Sequence, residues 1–249
     1  MARTRARVEP LLGEPAATAA LPDGDALVVS DYHAGIEASL RREGVEVASH
    51  AAERRDRLLA ALAETDADRL VVLGDLADSV GPPGDAEREE LRDLVASVAV
   101  PVTLVRGNHD GGVDEAVEGI EVTGAAGVRL GDVGFAHGHT WAAPEVLAAP
   151  VVCVGHEHPT VRIEDEVGGA RVERVWLRGD LDPTPFADRY DDPPADGELV
   201  VFPAYNDLSG GTWVNVEGQQ FLSPFLPDAA PDAQAYLLDG TRLGRYDRV

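Results

Sequence analysis

The chain contains seven histidines, and all but His50 sit in short polar clusters. In order these read Asp31-Tyr32-His33, Gly74-Asp75, Gly107-Asn108-His109-Asp110, His137-Gly138-His139 and Gly155-His156-Glu157-His158. Imidazole, carboxylate and amide oxygen suit borderline-hard divalent cations. Two such cations ~3.5–4 Å apart need several nitrogen and oxygen donors and a carboxylate between them. The aspartates, asparagine and histidines of these clusters are numerous enough to fill both spheres. Cys153 is the only cysteine, which excludes an internal disulfide framework and a thiolate-rich zinc or iron–sulfur site.

Each cluster directly follows an apolar run, at 26–29, 70–73, 102–105, 133–136 and 151–154. Such runs read as strands buried on both faces. In open α/β sheets the loops at the carboxyl ends of strands form the site, so the clusters are expected to converge on one rim. Residues 16–20 and 26–30 flank the turn cluster Pro22-Asp23-Gly24-Asp25, which predicts a hairpin. Leu58, Leu59 and Leu62 predict one face of a helix over about 48–64. After a Gly/Pro loop at 81–84, Asp85 is the expected N-cap of an amphipathic helix carrying Leu91, Leu94, Val95 and Val98. With the runs at 70–73 and 102–105 this makes a βαβ unit with parallel pairing. Beyond it the runs at 120–123, 127–130, 132–136 and 151–154 are short and β-rich, and 160–164 and 171–177 read as strands around Gly168-Gly169. Residues 179–197, rich in proline and aspartate, are expected to be a loop, and the tail from 222 is weakly patterned. No linker precedes 179, so 1–249 reads as one α/β domain, with a motif core at 26–160 and a C-terminal extension at about 222–249.

Together and in this order, the motifs resemble those of the calcineurin-like metallophosphoesterase superfamily: D-x-H, G-D, G-N-H-D, H and G-H-x-H, across residues 31–158. The resemblance implies a four-layer α/β/β/α sandwich of two mixed sheets and an enzyme that hydrolyses phosphoester bonds. It implies that Asp31, His33 and His158 hold a first divalent ion, that Asn108, His137 and His156 hold a second, and that Asp75 bridges them. A hydroxide shared by the ions would then attack phosphorus in line. His109 would stabilise developing charge or protonate the leaving oxygen, oriented by Asp110. Mn²⁺ is the first choice of metal, while Fe²⁺, Zn²⁺ and Mg²⁺ suit the same ligands. A narrower similarity, to archaeal ICC-like phosphoesterases, rests on residues 30–37, 155–159 and 203–211. That group includes bacterial relatives encoded beside a DNA ligase and is distantly related to SbcD-type nucleases. Its usual first motif has Leu where this chain has Tyr32, and often Leu in place of Ala34.

The chain has 45 acids against 21 bases, all of them arginine, for a net charge of -24 at pH 7. Such a charge repels polyanions. The even spread of the acids and the lack of lysine fit instead a salt-rich cytoplasm and a halophilic origin. At molar salt the Debye length is ~3 Å, so the acid excess does not exclude a nucleic-acid substrate. No run approaches the ~18 apolar residues of a membrane helix. No continuous apolar segment follows Arg3, Arg5 and Arg7, so no signal peptide is read and the expected location is the cytoplasm. Several residues keep two readings. Arg106 contacts substrate phosphate or makes a strand-end ion pair, and His139 touches substrate or is structural. Asp110 orients His109 or caps a turn, and Asp78 supports Asp75 or starts a helix. Glu37 pairs with a cation or supports the site. Gly210-Gly211 is a tight turn or a close backbone approach. The implied partner is a phosphoester, with a phosphodiester such as a nucleic-acid strand favoured over a small phosphomonoester or nucleotide. An inactive metallophosphoesterase fold acting as a protein-binding scaffold is the reading from another class, and it fits poorly with a complete motif set. The sequence carries no signal for an oligomeric state.

Overall fold

Successive side chains of a strand point to opposite faces, so a continuous apolar run needs a core on each side. The computed structural model, which describes residues 8–164, 168–191, 193 and 197–249, supplies both. Strands β1 (Val8–Pro10), β2 (Ala16–Leu21) and β3 (Gly24–Val29) form an antiparallel meander, with the predicted hairpin closing at Leu21 and Gly24. Helices α1 (Ile36–Arg42) and α2 (Ala51–Thr65) lead to β4 (Arg69–Val72), and α3 (Asp85–Ser97) leads to β5 (Val102–Leu104). The turn α4 (Val113–Ala116) precedes β6 (Ile120–Val122). Strands β3 to β6 pair in parallel, which completes a six-stranded sheet in sequence order.

The second sheet begins with β7 (Val128–Leu130), β8 (Val133–Ala136), the single turn α5 (Pro144–Leu147) and β9 (Val151–Val154). It continues with β10 (Thr160–Glu164), β11 (Ala170–Asp180), β12 (Glu198–Val201), β13 (Gln234–Leu237) and β14 (Arg242–Arg245). Its order is β14-β13-β11-β12-β9-β8-β7, with β10 on β11, and β8, β9 and β12 run parallel.

Three cores separate four layers. Leu27, Val29, Leu70 and Val72 face Leu58 of α2 and Leu91 and Leu94 of α3. Their alternates Ala26, Val28, Val71 and Leu73 face the other sheet, against Phe135, Cys153, Trp176, Val200 and Phe202. The outer face of the second sheet packs Val152, Val154, Leu199 and Val201 under Val146, Leu147, Phe186 and Phe225. Burying each large apolar side chain is worth about 1.5–3 kcal/mol, and this drives the stacking. The expected α/β/β/α sandwich is present, its last layer reduced to α5 and loops.

Some local expectations change. Gly84 (φ -71°, ψ 176°), not Asp85, caps α3, and the Glu87 carboxylate accepts from the Gly84 N–H. The 179–197 stretch is not all loop: β11 runs to Asp180, and a 3₁₀ turn at Thr184–Phe186 buries Phe186. The weakly patterned tail holds β13 and β14. Arg3, Arg5, Arg7 and part of 179–197 lie outside the described residues. Among the described residues no helix is long and apolar enough to cross a membrane.

Candidate metal centre

The five polar clusters leave the carboxyl ends of β3, β4, β5, β8 and β9. To turn side chains inward so soon after a strand, the backbone enters the left-handed region at Asp31 (φ 56°), His33 (48°), Asp75 (50°), His156 (67°) and His158 (44°). For residues with a Cβ this costs about 1–3 kcal/mol each and persists only where the surroundings enforce it. Here the enforcement is visible. Asp31, His33 and Ala34 donate their N–H groups to Gly74, Asp75 and Leu76 carbonyls at 3.2, 2.9 and 2.8 Å. Gly74 is itself left-handed (φ 76°), and a Cβ there would lie 2.4 Å from His137 Nδ1.

Three overlapping groups of donor atoms result, each within 4.8 Å: Asp31, His33 and His158; His33, Asp75 and His109; Asp75, His137 and His156. Asp75 belongs to two of them and lies between the outer sets. His158 Nε2 is 3.0 Å from Asp31 Oδ1 and 3.5 Å from His33 Nε2. His137 Nε2 is 3.3 Å from Asp75 Oδ2 and 3.1 Å from Asn108 Oδ1, which brings Asn108 to the second set. The far nitrogens are tethered to backbone: His137 Nδ1 meets Leu73 O at 2.6 Å, and His158 Nδ1 meets Gly210 O at 2.8 Å. A ring N–H donated to a carbonyl leaves the inward Nε2 as a lone-pair donor, the tautomer a metal needs. Asp31 Oδ1 is buried and makes no hydrogen bond among the described residues. An unsatisfied buried acceptor costs about 1–3 kcal/mol, which a bound cation would relieve. Histidine nitrogens aimed at one another and an orphaned carboxylate oxygen thus fit divalent metal.

The charges point the same way. Burial pushes the Asp31 carboxyl up, but His158, His137 and His33 together hold it far below the usual carboxylate range. Asp75 is also lowered, His137 outweighing its burial. Burial works against His137, yet Asp75 and Asp31 raise it to about 9. His158 is raised by Asp31 against its own burial, whereas His156 is lowered to about 4 by burial and by His137. The pocket therefore holds anionic carboxylates that favour a proton on His137 and His158, while burial and His137 disfavour one on His156.

The flanking residues sort differently from expectation. The Asp110 carboxylate turns to backbone N–H groups and not to the His109 ring among the described residues. Fully buried, it accepts the N–H groups of Asp75 (2.9 Å), Leu76 (2.8 Å), Ala77 (3.3 Å) and Gly107 (2.7 Å), tying the β4 and β5 loops together. Burial and Asp75 raise its pKa. His109 is oriented instead by Asp78, whose carbonyl contacts His109 Nδ1, while the His109 N–H donates to Asp75 Oδ1 at 2.9 Å. The Asp78 carboxylate lies 3.4 Å from His33 Nδ1. Arg106 takes the strand-end reading: it bonds the Asp110 carbonyl at 3.1 Å and pairs with Asp114 at 3.0 Å. The His139 ring centroid is 5.2 Å from that of His137, its Nδ1 is buried without a hydrogen bond among the described residues, and burial lowers its pKa. Glu37 pairs with Arg54 beneath α1. Gly210-Gly211 is a close approach, since a Cβ on Gly211 would lie 2.3 Å from His158 O. Two contributors carry no role in the sequence reading. Ser30 Oγ donates to Asp31 Oδ2, and Asn206, within the 203–211 stretch, bonds the first motif's backbone. A cavity of about 920 Å³ lies elsewhere, lined by Trp176, Arg178, Glu198 and Tyr236.

Aspartates and histidines gathered at strand ends of a two-sheet sandwich, with no thiolate among them, form a donor set able to hold divalent metal. Residues 25–225 match the calcineurin-like phosphoesterase family, and the chain belongs to it, as an enzyme that hydrolyses phosphoester bonds and a member of a family that uses divalent metals. The crystal structure of the Pseudomonas putida nuclease MPE is similar at 20% identity and a TM-score of 0.55, covering 94% of this chain and 98% of that one. YfcE, a phosphoesterase from E. coli, is similar at 18% identity and a TM-score of 0.38, covering 88% of this chain and 96% of that one. At 20% identity the likeness to the nuclease is one of fold. No curated protein matches the sequence.

Proposed function

We propose that the chain is a two-metal phosphodiesterase able to cleave nucleic-acid strands. The observation that carries this reading is the placement of Asp75, whose carboxylate groups with His137 and His156 and also with His33, itself a member of the Asp31 and His158 set. Asp31, His33 and His158 would hold one ion, and Asn108, His137 and His156 the other, with Asp75 shared. When bound, a pair of divalent cations, Mn²⁺ first and Fe²⁺, Zn²⁺ or Mg²⁺ in its place, supplies Lewis-acid charge and a water acidic enough to react near neutral pH. The chain does the rest. Leu73 O and Gly210 O fix two ring orientations, and Asp110 holds the Asp75 loop against the β5 loop. His109, with Nδ1 committed to Asp78 O, is left with Nε2 for a substrate oxygen. As imidazolium it donates that N–H to the leaving oxygen, the general-acid role. Arg106, tied to Asp114, contributes nothing to phosphate binding in this reading, and His139 lines the second donor group.

The diester preference is supported by fold likeness to a protein described as a nuclease. The finer placement among ICC-like phosphoesterases of a salt-adapted archaeal cytoplasm rests on residues 30–37, 155–159 and 203–211 and on the acid excess. The core shared by both sheets supports reading 1–249 as one metallophosphoesterase domain.

The test is hydrolysis of bis-p-nitrophenyl phosphate against p-nitrophenyl phosphate with Mn²⁺ in molar KCl, followed by DNA and RNA. The expected result is turnover of the diester that Asp75→Asn abolishes. Turnover of the monoester alone would replace this reading with a small-molecule phosphomonoesterase. Inertness toward both with metal bound would leave a narrow-specificity enzyme or an inactive scaffold in its place.

A further inference from the structure

Residues 203–211 cross from the second sheet to the first. Just past β12, the Phe202 N–H donates to Val154 O at 2.8 Å. Three residues later the Tyr205 N–H reaches Ser30 O at 2.7 Å, and the Asn206 N–H reaches Asp31 O at 3.3 Å. The Asn206 side chain is 1% exposed, and its Nδ2 donates to Tyr32 O at 2.9 Å and His33 O at 3.2 Å. Both partners are carbonyls, so only the amide's NH₂ can face them. Its Oδ1 accepts the Leu208 N–H at 3.0 Å, so the amide is satisfied on both sides. The carbonyls of Ser30, Asp31, Tyr32 and His33 are thus all held by Tyr205 and Asn206. The N–H groups of Asp31, His33 and Ala34 are held from the other side by the β4 loop. The same segment then delivers Gly210 O to His158 Nδ1.

Two residues of this pinned turn, Asp31 and His33, are left-handed, a conformation the chain does not keep unaided. Together with His158 they are one complete donor group. In the Asp75, His137 and His156 group, Leu73 O and Asn108 hold His137 and Asp110 holds the Asp75 backbone, and the His156 N–H ties the group to the first motif by donating to the Asp31 carboxylate at 3.1 Å.

We infer that Asn206 is a positioning residue for one of the two metal positions, the Asp31–His33–His158 set, and sets its affinity separately from the other. This rests on the proposed two-metal reading. Removing a group that orients metal ligands typically weakens metal binding about 10–100-fold. Asn206→Asp keeps the shape but turns a carboxylate oxygen toward two carbonyls, and Asn206→Ala removes the donor without adding charge.

The experiment is a calorimetric titration of the metal-free chain with Mn²⁺ in molar KCl, for wild type and both variants, with thermal melts to confirm folding. Wild type should bind in two steps. In each folded variant one step should weaken about 10–100-fold while the other stays at its wild-type value. Should Asn206→Asp fail to fold, Asn206→Ala carries the test. Wild-type affinity at both steps in a folded variant overturns the inference. Equal weakening of both steps also overturns it, because it marks a general structural role. A wild-type chain that takes up no Mn²⁺ overturns the two-metal reading itself, and this inference with it.

Discussion

Neighbouring residues can hold opposite jobs, and His109 and Asp110 are the clearest case. His109 keeps a quarter of its side chain exposed (26%) beside Asp75, and its ring is positioned by a carbonyl. Asp110 is fully buried among backbone N–H donors. His109→Ala should therefore lower kcat by about 10²–10⁴-fold, the usual worth of a general acid, with metal uptake and Tm unchanged. Asp110→Asn sets an NH₂ against N–H groups that need an acceptor, at a cost of about 1–3 kcal/mol. For a chain of this size each kcal/mol lowers Tm by roughly 2–4 °C. Steady-state kinetics, bound Mn²⁺ and melting curves on both variants separate the roles. A large Tm loss in His109→Ala with none in Asp110→Asn would reverse the assignment. The donors themselves were legible in sequence because ligand chemistry restricts residue type. The role of Asp110 was not, because its partners at Asp75 to Ala77 are more than thirty positions away.

Among the elements, α1, α2 and α3 meet at a buried charge cluster. Arg54 of α2 reaches Glu37 of α1 at 3.1 Å and Glu90 of α3, and its guanidinium lies 5.2 Å from the Tyr32 ring centroid. Glu90 also accepts the Gly35 N–H at 2.7 Å, and Glu37 the His50 N–H at 2.9 Å, so the cluster anchors the chain just after the first motif. Removing one partner of a buried pair strands the others, at about 3–5 kcal/mol. In wild type Glu37 is lowered, Arg54 outweighing burial, so its stabilisation is present above the ordinary glutamate range and lost as pH falls through the lowered value. Glu90 is raised, mainly by burial, so acid relieves it. In Arg54→Ala both carboxylates keep the burial and lose the cation, and protonation relieves both. Urea unfolding should show a larger deficit at pH 7 than at pH 5; an equal deficit at both would mean the loss is of packing rather than charge. Element existence was legible wherever an apolar run filled both faces, as in β3, β4 and β9. It was not legible for β13 and the edge strand β14, of whose residues only Ala235 is fully buried, and their pairing shifts register at Ala235 and Tyr236. Nor could pattern show that 203–211 joins the sheets, since its bonds to Ser30–His33 span most of the chain.

At the scale of the whole molecule, a net charge of -24 sets the conditions under which any of these measurements can succeed. Like-charge repulsion falls on the compact state more than on the expanded one. Surface pairs oppose it, such as Arg174 with Asp207 at 2.7 Å and Arg245 with Asp232 at 2.8 Å, but exposed pairs contribute about 0–1 kcal/mol each. Salt screens attraction and repulsion alike, so the sign of its effect follows whichever of the two is stronger. With 45 acids against 21 bases, repulsion is the stronger. As KCl rises from about 0.1 M to 1 M the Debye length falls from ~10 to ~3 Å. The metal-free chain should then melt at a higher temperature, the gain flattening once screening is complete. NaCl at equal ionic strength should match KCl, because screening depends on charge and not on which monovalent cation carries it. A Tm that falls with KCl would show that the surface ion pairs outweigh the acid excess, and a gain with KCl that NaCl fails to reproduce would point to cation binding at the carboxylates in place of screening.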